Sequence, residues 1–373
     1  MKIGILTLPL HTNYGGNLQA YALITVLKKM GHEPWMIDRA KNKVPFRKWF
    51  MPLLKQLIKK HILLRNIYID GTKQKELLAQ NITPFLSKYI QPSTKTFRSS
   101  SELENITEYN FDACIVGSDQ VWRPQYTPNI EDYFFQFINS DKIKKISYAA
   151  SFGVDAWDFS DEETTTCSSL LKKFSAVSVR EDSAIKMCKE KFDVDATHVL
   201  DPTMLLEVSD YVELISGAGK SDGDLLVYVL DESHEKELVM NAIISKFGYK
   251  AFKTNTPIDD TTIPHSLRIA PSIEGWVRGF YDAKFVLTDS FHACVFSILF
   301  NKPFIVYGNK SRGMVRFKSL LTMFSLEDRL ITSLEEFDEE KLNAAIDWPR
   351  VNLTLQKHKK FSNDFLARAL NHD

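Results

Sequence analysis

The feature that most constrains this chain is a repeated alternation of short apolar runs with segments of helical length. The first unit is a strand (Ile3–Thr7), a Gly-containing loop, a helix (Asn17–Met30), Gly31 as a helix stop, and the strand "EPWMID". Two strands joined through a helix must run parallel, with a right-handed crossover. The alternation continues through "DACIVGS", "KISYAAS" and "AVSVRE", the last feeding the helix "DSAIKMCKEKF", and "THVLDP" closes this half. It resumes with "LLVYVL", the helix "HEKELVMNAIISKFG", "YKAFKT" and "GWVRGFYDA". Next comes "FVLTDSFHACVFSILFNKPFIVYG", where Phe285–Leu287 read as a strand and Ala293–Phe300 as about two helical turns. Pro303 blocks further helix, and Phe304–Tyr307 read as another strand. A chain of 373 residues is long for one core, so the pattern predicts two doubly wound α/β domains with mostly parallel sheets. The Gly- and Ser-rich "LISGAGKSDGD" marks the joint. The domains are expected at 1–207 and 208–335, with a helical segment over 336–373 that packs back on the first. The acidic "SLEEFDEEKLNAAI" and the last segment read as surface helices.

Charge removes one class of function. Lys+Arg and Asp+Glu both number 47, so no global field draws the protein to nucleic acid. Cys114, Cys167, Cys188 and Cys294 form no C-x-x-C or C-x-x-H pair, and they read as reduced core thiols with no metal site. The start "MKIGILTLPL" continues into polar "HTNYGGN" without a cleavage pattern, so it reads as a first buried strand in a cytoplasmic protein. No window has the charge-free apolar length of a membrane span. Residues 46–65, "FRKWFMPLLKQLIKKHILLR", stand apart. Trp49, Phe50, Leu53, Leu54, Leu57 and Ile58 recur at helical spacing, with Lys48, Lys55, Lys59 and Lys60 opposite. That basic amphipathic pattern suits a helix lying in a membrane interface, and equally a helix packed on its own domain.

Several strand tips carry groups with chemistry. Gly15 and Gly16 fall between a strand and a helix whose first turn holds Asn17. Glycines there let a ligand approach backbone N–H groups, and Asn17 suits a helix cap. The stretch lacks G-x-G-x-x-G and the P-loop lysine, so neither dinucleotide nor ATP binding follows. Asp119, in "GSDQVW" with Gln120, ends another strand. Its carboxylate suits either a proton acceptor for a sugar hydroxyl or a cap for the next turn. Arg180 ends "SAVSVR", a planar fork for a carboxylate or phosphate, or the partner of Glu181 and Asp182. Lys310, Arg312 and Arg316 follow the strand Phe304–Tyr307 in what reads as a basic loop. His292 sits where a strand's carboxyl end meets a helix amino end, the place where open α/β sheets bind ligands. A histidine there is either a structural core residue or a reactive one. An anion bound beside it would favour the imidazolium and prime it as a general acid.

These blocks, in order, resemble the polysaccharide pyruvyl transferase family. The residues that carry the likeness are "NYGGNLQAYAL", "GSDQVW", "ISYAASFG", "SVRED" with "VLDPTMLL", "TDSFHACVFSILFNKPF" and "RFKSLLTMFSLEDRLI", ending near residue 331. The resemblance implies a GT-B-like arrangement of two Rossmann-like domains. It also implies transfer of a pyruvyl group from phosphoenolpyruvate to two hydroxyls of one sugar, closing a cyclic ketal without metal or further cofactor. The acceptor it implies is a surface polysaccharide or its lipid-linked precursor, which gives peripheral membrane contact a purpose. By position, His292 matches the family's donor-site histidine and Arg180 an arginine that grips the donor. Ser290 and Phe291 fall on donor-lining positions that read Arg-Leu in one branch, so a cation is missing here, and Lys310 and Arg312 are the nearby replacements. Gly15, Gly16, Asn17, Asp119 and Gln120 fall on the acceptor side, with Asp119 the base. Two rival functions stay open: a nucleotide-sugar glycosyltransferase of the same architecture and a non-catalytic scaffold of a glycan-assembly complex.

Overall fold

The computed structural model describes residues 1–42, 68, 70–308 and 313–371. The basic segment 46–65, Lys310 and Arg312 lie outside the described residues. The first half is a six-stranded sheet built from β1 (Lys2–Leu6), β2 (Glu33–Met36), β3 (Ala113–Gly117), β4 (Lys144–Ala150), β5 (Ala176–Val179) and β6 (Thr197–His198). Their order is β2-β1-β3-β4-β5-β6, and every pairing is parallel. The second sheet holds β7 (Leu225–Tyr228), β8 (Ala251–Phe252), β9 (Phe285–Thr288), β10 (Phe304–Tyr307) and β11 (Leu330–Ile331). Its order is β11-β10-β9-β7-β8, again wholly parallel. Both sheets therefore reverse direction beside their first strand, between β1 and β3 and between β7 and β9. The crevice at the carboxyl ends of such a pair is the natural ligand site of an open α/β sheet.

Four helices bear on that crevice: α1 (Tyr14–Lys29), α2 (Ile273–Asp282), α3 (Phe291–Leu299) and α4 (Val315–Phe324). α1 begins three residues before its sequence-based start. Asn13 caps it by accepting from the Gly16 N–H at 3.1 Å, which draws both glycines into the first turn. Asn17 is accordingly no cap; it is buried, and its Nδ2 donates to the His11 carbonyl at 2.7 Å. Arg316 likewise leaves the expected loop for the first turn of α4.

The two halves share one hydrophobic cluster that runs from Leu18 and Leu23 of α1 through Trp276 of α2 to Phe296 of α3. Tyr14 stacks on Trp276 with ring centroids 5.6 Å apart and donates its hydroxyl to the Pro271 carbonyl at 2.9 Å. Aromatic rings of this kind each bury about 150–250 Å², so this joint is a core rather than a hinge surface. The last helix, α5 (Trp348–Asn371), is more than a surface helix. Val351, Leu355, Phe365, Leu366 and Leu370 form a buried stripe, Ser362 Oγ accepts from Leu200 N–H, and the α5 residue Lys359 bonds the Leu206 carbonyl. The acidic stretch before it makes only a turn at Leu334–Glu336 and the five-residue helix Glu339–Asn343. All four cysteines are buried and free. No helix of the described residues is long and apolar enough to cross a membrane.

Candidate functional site

The strand tips of both sheets meet at one buried carboxylate, Asp201, just after β6. Arg180, at the end of β5, donates to Asp201 Oδ2 at 2.9 Å and approaches Asp119 Oδ1 at 3.4 Å. The amino end of α3 brings His292 Nε2 to 3.5 Å from the same Asp201 oxygen. Ser118 Oγ donates to Asp201 Oδ2 at 3.0 Å, while Thr203 supplies Oδ1 with its N–H and its hydroxyl. Burial alone would raise the Asp201 carboxyl. The His292 imidazole 3.5 Å away, the charge of Arg180 and the Thr203 bonds override it and hold the group well below the usual carboxylate range. Burial also opposes the Arg180 charge, but Asp201, Asp119 and Glu181 outweigh it and raise the guanidinium above its ordinary value.

Arg180, Asp119 and His292, far apart in sequence, are thus neighbours. Glu181 adds negative charge near Arg180, but the salt bridges of Arg180 run to Asp201 and Asp119 rather than to Glu181 or Asp182. Glu181 accepts from Ser151 Oγ and from the Phe152 and Gly153 N–H groups, and Asp182 N–H donates to Ser319 Oγ of α4. The Asp119 side chain faces Arg180 rather than capping a turn, and its backbone sits at φ +67°, a conformation a non-glycine residue adopts at a cost. A register shift between Ser147 and Ala150 on β4 lets Ser151 N–H reach the Asp119 carbonyl at 3.1 Å. Gln120 Oε1 accepts from Arg123 at 3.0 Å and fills the space beside Gly153.

Gly15 makes the tightest approach between the halves. A Cβ placed there would stand 2.0 Å from His292 Nδ1, so the imidazole rests directly on the first turn of α1. Phe291 packs beneath Arg180, with the guanidinium carbon 4.6 Å from its ring centroid. Ser290 precedes α3, and its side chain makes no cap bond. Asp289, next to it, is committed to structure, accepting from Leu230 N–H, Asp231 N–H and Lys236 Nζ. Beside the site a cavity of about 230 Å³ opens at the carboxyl ends of β1 and β2, lined among others by Thr7, Asp38, Gln91 and Ser93. Thr7 Oγ1 donates to the Ser118 carbonyl at 3.1 Å, which joins the cavity wall to the Asp201 cluster. Among the described residues, no group of three His, Cys, Asp or Glu is arranged to hold a metal ion.

The reading of single strand tips missed Asp201. "VLDPTMLL" contains it, but nothing local says that the carboxylate turns toward β5. The signal lay in sheet order: β5 and β6 are neighbours, so the residues just beyond them share one edge.

Two Rossmann-like domains with facing carboxyl edges, and a buried His–Asp–Arg cluster between them, define a GT-B-like protein. The UDP-GlcNAc 2-epimerase of Methanocaldococcus jannaschii, solved in complex with UDP-GlcNAc and UDP, superimposes with a TM-score of 0.50 at 12% identity over 100% of both chains. A Listeria monocytogenes protein assigned as a UDP-N-acetylglucosamine 2-epimerase gives 0.50 at 11% identity, over 98% of this chain and 95% of that one. At such identities the likeness concerns the fold alone. The family model for polysaccharide pyruvyl transferase matches residues 13–311, and the chain belongs to that transferase family. No curated protein matches it.

Proposed function

We propose that the protein moves a pyruvyl group from phosphoenolpyruvate to two hydroxyls of one sugar, in a surface polysaccharide or its lipid-linked precursor. The observation that carries this reading is the convergence of His292 and Arg180, one from each half, on Asp201. Phosphoenolpyruvate bears a carboxylate and a phosphate, and it needs cations and helix amino ends around it. A proton delivered to its C3 makes C2 an oxocarbenium-like centre. The first sugar hydroxyl adds to C2 and gives up its proton. The C2–O bond to phosphate then breaks, the second hydroxyl closes the ketal, and its proton leaves with the phosphate.

His292 is the general acid, or protonates the departing phosphate, and Asp201 fixes the imidazole beneath it. Arg180 orients the donor anion. Asp119 holds Arg180 through a longer contact than Asp201 does, so it is the carboxylate freer to take the hydroxyl proton. The acceptor sugar approaches past Asp119 and Gln120, beside Gly15, with the cavity near Thr7 and Asp38 to receive the rest of the chain. A positioned acid or base is worth roughly 10²–10⁴-fold. His292→Asn is therefore expected to lose most phosphate release from phosphoenolpyruvate plus acceptor while its melting curve stays intact. Near-normal turnover in that variant removes the role. Parallel incubation with UDP-sugars separates the glycosyltransferase alternative, which predicts UDP release instead. If phosphoenolpyruvate neither reacts nor raises the melting temperature, the scaffold reading takes over.

A further inference from the structure

The cavity at the carboxyl ends of β1 and β2 has the make-up of a carbohydrate pocket. β1, α1 and β2 form one βαβ unit, and in such units a carboxylate just beyond the second strand accepts hydrogen bonds from a sugar's hydroxyls. Asp38 stands just past β2 and lines the cavity together with Thr7, which follows β1. Its backbone is fixed, because its N–H donates to Thr94 Oγ1 at 3.1 Å and its carbonyl accepts from Phe97 N–H at 2.8 Å. The Thr96 hydroxyl donates to Asp38 Oδ2, and among the described residues nothing donates to Oδ1. The cation in the wall, Arg39, is engaged elsewhere: it donates to Asp132 Oδ2 at 2.8 Å, to the Ala40 carbonyl and to Asn42 Oδ1. The cavity thus presents a carboxylate that no described cation answers, which repels anions and suits hydroxyl donors. Leu8, Leu10, Leu86 and Ile90 add apolar walls for the C–H faces of a ring. The same βαβ geometry serves nucleotides, but two features turn it away from them here. The first turn of α1, where a pyrophosphate would sit, is covered, with His292 over Gly15 and the Gly16 N–H taken by Asn13. The cavity of about 230 Å³ also falls below the roughly 300–1,000 Å³ of pockets for drug-sized ligands, so it suits one ring rather than a nucleotide.

We propose that this cavity is a one-ring carbohydrate subsite, in which Asp38 accepts hydrogen bonds from two adjacent hydroxyls of an uncharged pyranose. Only the ring's place in the acceptor rests on the pyruvyl-transfer reading; the subsite itself does not. In that reading the ring adjoins the sugar that receives the pyruvyl group, because the cavity wall reaches the Asp201 cluster through Thr7 and Ser118, next to Asp119. The acceptor is then recognised over at least two sugar units, one at Asp119 and one at Asp38. An acidic sugar at the second position is rejected by the Asp38 charge.

The test is titration of the full chain with the methyl glycosides of glucose, galactose and mannose, read by saturation-transfer NMR and calorimetry, with melting curves alongside. Wild type is compared with Asp38→Asn and with Ser87→Trp; Ser87 lines the cavity and is exposed, so the larger side chain narrows the opening and leaves the carboxylate in place. Wild type is expected to bind at least one of the glycosides. Asp38→Asn is expected to bind it roughly 10–100-fold more weakly, the range for hydrogen bonds to an ionised group, with its ligand-free Tm unchanged. Ser87→Trp is expected to lose it. The uronic acid counterpart of that glycoside binds wild type more weakly, and Asp38→Asn narrows the gap. The proposal is overturned if wild type binds none of the glycosides, if either variant binds as wild type does, or if uridine binds the cavity more tightly than they do, which would make it a nucleoside pocket. If Asp38→Asn fails to fold, Ser87→Trp decides alone. Should glycoside binding depend on Asp38 while phosphoenolpyruvate is never turned over, the subsite stands and the pyruvyl reading falls. Should both variants turn over phosphoenolpyruvate with an unchanged KM for the acceptor, the reading stands and the subsite falls.

Discussion

Gly15 decides how closely the two halves approach at His292. In a helix interior, replacing glycine by alanine ordinarily stabilises by about 1 kcal/mol. Here the added methyl would meet the imidazole of His292 at 2.0–2.7 Å, so the ring or the helix must shift. Gly15→Ala is therefore expected to destabilise by about 1–3 kcal/mol, the range for overpacking, and to lower kcat by displacing His292. A urea midpoint and a turnover number check it; a variant as stable and as active as wild type would show that the contact imposes nothing. The glycines were legible as a place of close approach, but their visitor was not. It comes from the other half of the chain, and no local pattern encodes it. Arg180 and Asp119 were legible as positions because each follows a strand of the first sheet, and His292 because it sits at a strand-to-helix junction of the second. Asp201 was not, because its position follows from which strands are neighbours.

At the scale of elements, the alternation of strand and helix placed nearly every strand, and the parallel pairing followed from the length of the connections. Helix starts were less legible: Asn13 competes with Asn17 as a cap, and the earlier one wins because it can reach the Gly16 N–H. β6 is only two residues long, yet it carries a histidine with structural consequences. His198 Nε2–H donates to the Arg180 carbonyl at 2.9 Å and lies 3.4 Å from Ser319 Oγ of α4, so it ties β5 to the second half. Burial lowers its pKa, against the Arg180 carbonyl bond, Asp182 and Glu181; His358 on α5 is lowered by burial, then by His198 and Lys357. Both fall below the unfolded-state value of about 6.5. As pH drops past about 6.5 the unfolded chain takes up these protons first, so stability is intact above that pH and declines on the way down through the lower folded values. The urea midpoint is expected to fall between about pH 7.5 and 5, and His198→Gln, which keeps a donor for the Arg180 carbonyl, is expected to fall less. An identical decline in both proteins would place the titration elsewhere.

For the molecule as a whole, the balance of 47 basic and 47 acidic residues has a consequence for where it works. A protein without net charge gains nothing overall from an anionic membrane, so attraction must come from a local patch. Residues 46–65 supply one in sequence, with Lys55, Lys59 and Lys60 interleaved among apolar residues. The lipid-linked acceptor proposed above would give such a patch a purpose, because its sugar would be presented at the bilayer surface. Each lysine near an anionic surface contributes on the order of 1 kcal/mol, so reversing three of them should change partitioning by orders of magnitude. Wild type is expected to co-sediment with anionic vesicles and to lose binding as salt screens the surface. The Lys55/Lys59/Lys60→Glu variant is expected to stay in the supernatant while keeping its activity on a water-soluble acceptor. Equal sedimentation of the two proteins would dismiss the interfacial role for residues 46–65. Loss of activity together with sedimentation would instead tie it to the fold of the acceptor side.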